Sequence, residues 1–117
     1  MLSTTTSTGH RVAESKIRPE DVLIYFPSDF PAVLRRVFGI LEPRALVLTE
    51  GELWPNLIRQ AKGRGVPVIL INGRMSEKSF AGYRKIGAFF GPVLKMMDLL
   101  VVQGEVDRDR FLALGAD

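Results

Sequence analysis

Four short apolar runs recur along this chain: "VLIYF" at 22–26, "ALVLT" at 45–49, "VPVILI" at 66–71 and "LLVVQ" at 99–103. Runs of this length, rich in β-branched side chains, read as buried strands. Between them lie stretches with helical spacing, as in Leu34, Val37, Phe38 and Leu41, and again in Leu57, Ile58 and Ala61. Strands that are apolar on both faces and alternate with helices require a parallel sheet sandwiched between helices. The expected fold is therefore α/β: a Rossmann-like parallel sheet with helices on both faces. A further strand is expected at "LSTTT" (2–6), followed by a helix opening in "STGHRVAESK" with Ser7 or Thr8 as its N-cap. Glycines in "KGRG" (62–65) and "ALGAD" (113–117) end two helices.

A chain of 117 residues has the size of one ordinary domain, able to bury a core without staples. It has no cysteine and one histidine, His10, which excludes a disulfide framework, thiolate chemistry and a zinc cluster. The formal charge of +3 is a mild excess that permits a nucleic-acid partner without calling for one, and none is expected. No apolar run approaches the roughly twenty residues that span a bilayer. A strand at the first residues, and a glycine turn where another strand would ordinarily follow, lead to the expectation that the domain continues at both ends.

Three loops that follow strands carry polar clusters, and in open α/β sheets ligands bind at the carboxyl ends of the strands. The first is "TEGELWPN" (49–56). Pro55 suits the first turn of a helix, so Leu53 or Trp54 marks the boundary and Glu52 lies just ahead of a helix N-terminus. Two readings are open: a carboxylate that caps the helix, or a crevice in which Glu50 or Glu52 acts as a base, an orienter or an acceptor for sugar hydroxyls. The second loop is "NGRMSEKS" (72–79), where Asn72 and Gly73 turn the chain, Ser76 is the expected N-cap and Ser79 follows. There Arg74 either grips a phosphate or carboxylate or pairs with Glu50 or Glu77 on the surface. The third, "QGEVDRDRF" (103–111), contributes Gln103 and Glu105, while its alternating Asp and Arg residues read as a solvated face.

Residues 80–98 place Phe80, Tyr83, Ile86, Phe90, Val93 and Met97 on one stripe, with glycines and Pro92 dividing it into two short helices. Phe89 and Met96 fall off that stripe. Together with Arg84 and Lys85 they are candidates for contact with an anionic membrane or a lipid-bearing substrate. The helix after "YFPSDFP" has so wide an apolar stripe that burial on more than one side, or membrane contact, is expected.

Five ordered blocks, "TTTSTG", "YFPSDFP", "TEGELWPN", "NGRMSEKSFAGYRK" and "QGEVDRDRFLALGA", together resemble the N-terminal domain of 3-deoxy-D-manno-octulosonic acid (Kdo) transferases from about Ser3 to Asp117. The resemblance implies the N-terminal, acceptor-side half of a GT-B glycosyltransferase, with residues 1–117 a partial domain and the nucleotide-sugar domain outside the chain. It implies transfer of Kdo from CMP-Kdo to a lipid A precursor in lipopolysaccharide biosynthesis, at the cytoplasmic face of the inner membrane of Gram-negative-type bacteria, with no metal and no tightly bound cofactor. The family's "ETELWPN" falls on Glu50 to Asn56, keeping Glu52, Trp54 and Asn56, with Gly51 where threonine is usual. Its "NARLSERS" falls on Asn72 to Ser79, keeping Asn72, Arg74, Ser76, Glu77 and Ser79, and its "QSE" on Gln103 and Glu105. The family's catalytic base lies in a Gly-Glu motif upstream of the threonine-rich strand, so no catalytic residue is expected in this chain, which alone should not turn over. The rival expectations are a non-catalytic α/β binding module and a GT-B transferase with another sugar and acceptor. Bare apolar surface also raises the expectation of a homodimer.

Overall fold

A computed structural model describes residues 1–117. In chain order the elements are β1 (Leu2–Thr4), α1 (Ser7–Glu14), β2 (Leu23–Tyr25), α2 (Pro31–Leu41), β3 (Leu46–Thr49), α3 (Pro55–Gly63), β4 (Val68–Gly73), α4 (Glu77–Lys85), α5 (Gly87–Leu94), β5 (Leu99–Val102) and α6 (Glu105–Ala113). All five expected strands are present, every pairing is parallel, and the whole is a Rossmann-like α/β arrangement. The strand order is β2-β1 in one ladder and β3-β4-β5 in another, with no ladder hydrogen bonds joining β1 to β3.

The core lies on one face of β3–β5. Leu48, Val68 and Leu70 point into it and meet Leu57, Ile58 and Ala61 of α3, Phe90, Val93 and Leu94 of α5, and Phe111 of α6. Fully burying one such aliphatic side chain contributes about 1.5–3 kcal/mol, so this cluster holds most of the fold's stability. It contains no residue before Leu34, and α1 packs mainly against β1 and β2.

Local signals set the helix ends. Thr6, one residue earlier than expected, is the N-cap of α1, its Oγ1 accepting from the Gly9 N–H at 3.0 Å. Gly65 and Gly115 adopt positive φ (70° and 101°) just past α3 and α6, as their position in the sequence implies. The stretch 80–98 does divide in two, but at Ile86 alone. Gly82 lies inside α4, and Pro92 lies inside a helix as short as α5, which has few interior hydrogen bonds to lose. Phe90, Val93 and Met97 are buried as the stripe requires, whereas Ile86 at the break is exposed.

The wide stripe of α2 is buried on one side only. Leu34 and Phe38 enter the core, while Phe30 and Ile40 are 68% and 71% exposed.

Asp98 ties the second half of the sheet together. Its Oδ2 accepts from the Val68 N–H at 2.7 Å and its Oδ1 from Lys62 Nζ at 2.7 Å, while its own N–H donates to the Val68 carbonyl at 2.9 Å. The Lys62 hydrogen bond first, and the Val68 N–H second, hold the Asp98 carboxyl below its ordinary 3.8. A carboxyl with a lowered folded pKa stabilises the fold above 3.8 and loses that contribution as pH falls through the lower folded value. Asp98→Asn should therefore lower the melting temperature at neutral pH, and the gap from the parent chain should close as pH falls below 3.8. Thermal melts across that range check it.

Candidate functional site

The ladder β3-β4-β5 brings the carboxyl ends of three strands to one edge. There the Glu50 N–H donates to the Ile71 carbonyl at 3.1 Å, the Arg74 N–H to the Glu50 carbonyl at 3.3 Å and the Gln103 N–H to the Gly73 carbonyl at 2.9 Å. At the end of their strands Glu50 and Asn72 both turn into the left-handed region, with φ of 56° and 53°. Asparagine tolerates that conformation, whereas for glutamate it costs about 1–2 kcal/mol. Held by backbone bonds on both sides, Glu50 is the backbone outlier of the site. Its carboxylate meets Arg74 at 2.7 Å, both side chains being about half exposed.

These turns frame an open cleft of about 650 Å³ lined by Glu50, Gly51, Glu52, Arg74, Met75, Ser76, Ser79 and Asp107. Three carboxylates and one guanidinium make it acidic, and two hydroxyls add donors and acceptors. A β-carbon on Gly51 would lie 3.3 Å from the Arg74 carbonyl, so the loops approach as closely as a glycine comfortably permits. Ser76 caps α4, its Oγ accepting from the Ser79 N–H at 3.1 Å and donating to Ser79 Oγ at 2.9 Å. These bonds leave both hydroxyls on the rim.

Glu52 is not the helix cap that its position suggested. It accepts from the Trp54 indole N–H at 2.8 Å, and that indole stacks on Phe26 with centroids 4.7 Å apart. The cap of α3 comes instead from the distant loop before α2. Asp29 accepts from the N–H groups of Asn56 (3.0 Å) and Leu57 (2.8 Å), and its carbonyl accepts from Asn56 Nδ2 at 2.9 Å. Spared from capping, Glu52 is free to serve the cleft. Burial first, and the Glu52 carboxylate second, push the Tyr83 phenol above its ordinary 10.0.

Of the sequence candidates, the structure brings Glu50, Glu52, Arg74, Ser76 and Ser79 together. Trp54 and Asn56 lie behind the cleft, the first in the stack on Phe26 and the second against Asp29. Asn72 turns the chain, its carbonyl accepting from Gln103 Nε2 at 3.4 Å, and Glu105 is exposed at the start of α6 outside the cleft lining. Asp107 was read as part of a solvated face, yet its Oδ1 accepts from the Met75 N–H at 2.8 Å while Arg110 donates to the Met75 carbonyl. With Met75 itself buried, that clamp fixes the loop carrying Arg74. Asp29 and Asp107 were missed because their partners are 27 and 32 residues distant.

Among the apolar-surface candidates, Phe89 is half exposed with the Arg59 guanidinium 4.6 Å from its ring centroid, and Arg84 lies 5.8 Å from the Phe80 ring. Met96 packs against the core, which removes it from the exposed set, while Lys85 stays exposed. No helix is long and apolar enough to cross a membrane.

The family described as 3-deoxy-D-manno-octulosonic-acid transferase (kdotransferase) matches residues 1–117. A bifunctional glycosyltransferase/methyltransferase of Fusobacterium nucleatum is 32% identical over 118 residues, which is 99% of this chain and 18% of that protein. The 3-deoxy-D-manno-octulosonic acid transferases of Haemophilus influenzae and Chlamydia pneumoniae are 30% and 33% identical, covering 97% and 98% of this chain and 27% and 26% of theirs. The chain thus spans about a quarter or less of the length of these relatives.

Asp29→Ala should lower unfolding stability by about 0.5–2 kcal/mol, the ordinary worth of an N-cap, and Asp29→Asn by part of that, because an amide offers one acceptor oxygen where both carboxylate oxygens are used. Denaturant titration of the two variants checks this; equal, negligible losses would remove Asp29 from the capping role.

Proposed function

Because the chain belongs to the 3-deoxy-D-manno-octulosonic-acid transferase family, we propose that it forms the acceptor-side part of a GT-B glycosyltransferase moving Kdo from CMP-Kdo to a lipid A precursor. The observation that carries this reading is the cleft at the carboxyl ends of β3 and β4, where Glu50, Glu52, Ser76 and Ser79 converge. Carboxylates and hydroxyls at the rim of an open cleft suit the hydroxyl-rich face of a sugar, which both donates and accepts hydrogen bonds. The Glu52 charge, already anchored by Trp54, orients an acceptor hydroxyl without needing to move.

Arg74 is held by Glu50 in the unliganded cleft. An acceptor phosphate, which accepts bidentately from a guanidinium, competes with Glu50 for it. The donor nucleotide sits on the second domain. The protein acts at the cytoplasmic face of the inner membrane in lipopolysaccharide biosynthesis, and Phe89, Arg84 and Lys85 are the residues of this chain suited to meet that surface.

In the complete protein, Glu52→Gln should retain the Trp54 hydrogen bond and the folded stability while lowering Kdo transfer at least about tenfold, a loss of about 1.4 kcal/mol in transition-state stabilisation. The 117-residue chain alone should show no transfer. A radiolabelled-Kdo assay with CMP-Kdo and a lipid A precursor checks both; near-parental transfer by the Gln variant, or turnover by the isolated chain, would contradict the reading.

A further inference from the structure

The turn that follows β5 brings a carboxylate of its own to the cleft. Asp107 is the third residue of α6, at the end of a helix whose outward-pointing backbone N–H groups favour negative charge. Its Oδ1 accepts from the Met75 N–H at 2.8 Å. Its Oδ2 has no hydrogen-bond partner, and no cationic side chain pairs with it. Every buried side-chain oxygen of the protein is partnered, and Asp107 is a part-buried residue of the cleft lining, so Oδ2 opens to the cleft.

Glu52 is built in the same way from the other flank. Its Oε2 accepts from the Trp54 indole N–H, and its Oε1 is unpartnered. The other two charged groups of the lining, Glu50 and Arg74, neutralise each other. With β4 lying between β3 and β5, the cleft therefore presents two carboxylates on opposite sides, each tied by one oxygen and open at the other.

Such a tie matters for recognition. A side chain already held in place has no rotamer freedom left to lose when a ligand arrives. An ionised carboxylate oxygen only accepts hydrogen bonds, so the group it meets must be a donor, which a sugar hydroxyl is and a phosphate oxygen is not. We propose that Asp107 is a further binding residue for the sugar acceptor, its Oδ2 receiving a hydrogen bond from one of the acceptor's hydroxyls while Oδ1 keeps the Met75 N–H. This rests on the acceptor reading of the cleft and adds a contact from the third loop.

The same turn of α6 also sets where the neighbouring groups stand. Arg110, three residues on, donates to the Met75 carbonyl, and Met75 itself is buried. Both sides of the Met75 backbone are thus fixed to α6, and Arg74 and Ser76 leave from either end of it. Glu105, exposed and outside the lining, has no comparable tie.

A purely supporting role for Asp107 is separable from a binding role. The test titrates the isotopically labelled 117-residue chain with the de-acylated sugar headgroup of a lipid A precursor, for the parent and three variants. Asp107→Asn keeps an oxygen for the Met75 N–H and places an amide where the open carboxylate oxygen was. Because charge-assisted hydrogen bonds are roughly twice as strong as neutral ones, the headgroup should bind about fivefold more weakly or worse. Exchange of the Met75 amide should stay within about threefold of the parent's in that variant, and should quicken about tenfold or more in Asp107→Ala, which also binds more weakly still. Arg110→Met loosens Met75 from its carbonyl side without removing an atom of the cleft lining, and should cost less affinity than Asp107→Asn. Parental affinity in the Asn variant, a loss accompanied by faster Met75 exchange, or an equal loss in Arg110→Met would leave Asp107 a support only and overturn the inference. Failure of the parent chain to bind the headgroup is a separate result, seen before any variant is compared: it contradicts the acceptor reading of the cleft and the inference with it.

Discussion

The parallel register of β3, β4 and β5 is the constraint from which the candidate site follows. Leu46 to Thr49 align with Val68 to Ile71, β4 runs two residues farther to Gly73, and the loops of both strands leave from the same edge. Three backbone hydrogen bonds beyond the ladder, at Glu50, Arg74 and Gln103, then stitch the loops to one another. Slipping β3 by one residue would turn Leu48 out of the core and carry the Glu50–Arg74 pair apart. The apolar side chains that fix the register therefore also fix the spacing of the charged ones.

Around that edge the protein uses long-range polar contacts to hold what the sheet has only brought near. Asp29 closes the N-terminus of α3, and Asp107 with Arg110 grips both sides of Met75. Each relieves a local residue of structural duty. Because Asp29 caps α3, Glu52 needs only to anchor the Trp54 indole, and because Met75 is clamped and buried, its neighbour Arg74 reaches the cleft from a fixed backbone. Support from outside the loops is what makes a constellation on loops geometrically defined.

The strands were legible because runs such as "VPVILI" carry their own signal, and helix starts at Pro55 and Ser76 were legible because proline and serine act locally. Glu50, Glu52, Arg74, Ser76 and Ser79 were legible as site candidates because strand-end loops of a parallel sheet converge by topology. The roles of Asp29 and Asp107 were not, since nothing within a few residues of either reveals a partner in another loop. Nor were the single-sided burial of α2 and the open ladder between β1 and β3. Local periodicity states how apolar a segment is, not what covers it, and residues such as Ile40 and Val101 are apolar yet exposed here.

The cleft's identity as the acceptor site is tested most directly by titrating the isotopically labelled chain with the de-acylated sugar headgroup of a lipid A precursor and following backbone amide shifts. The expected result is a saturable set of shifts centred on Gly51, Arg74, Ser76 and Ser79, together with loss of the Glu50–Arg74 contact as Arg74 turns to the ligand. Shifts confined to other surfaces, or none at saturating headgroup, would contradict it.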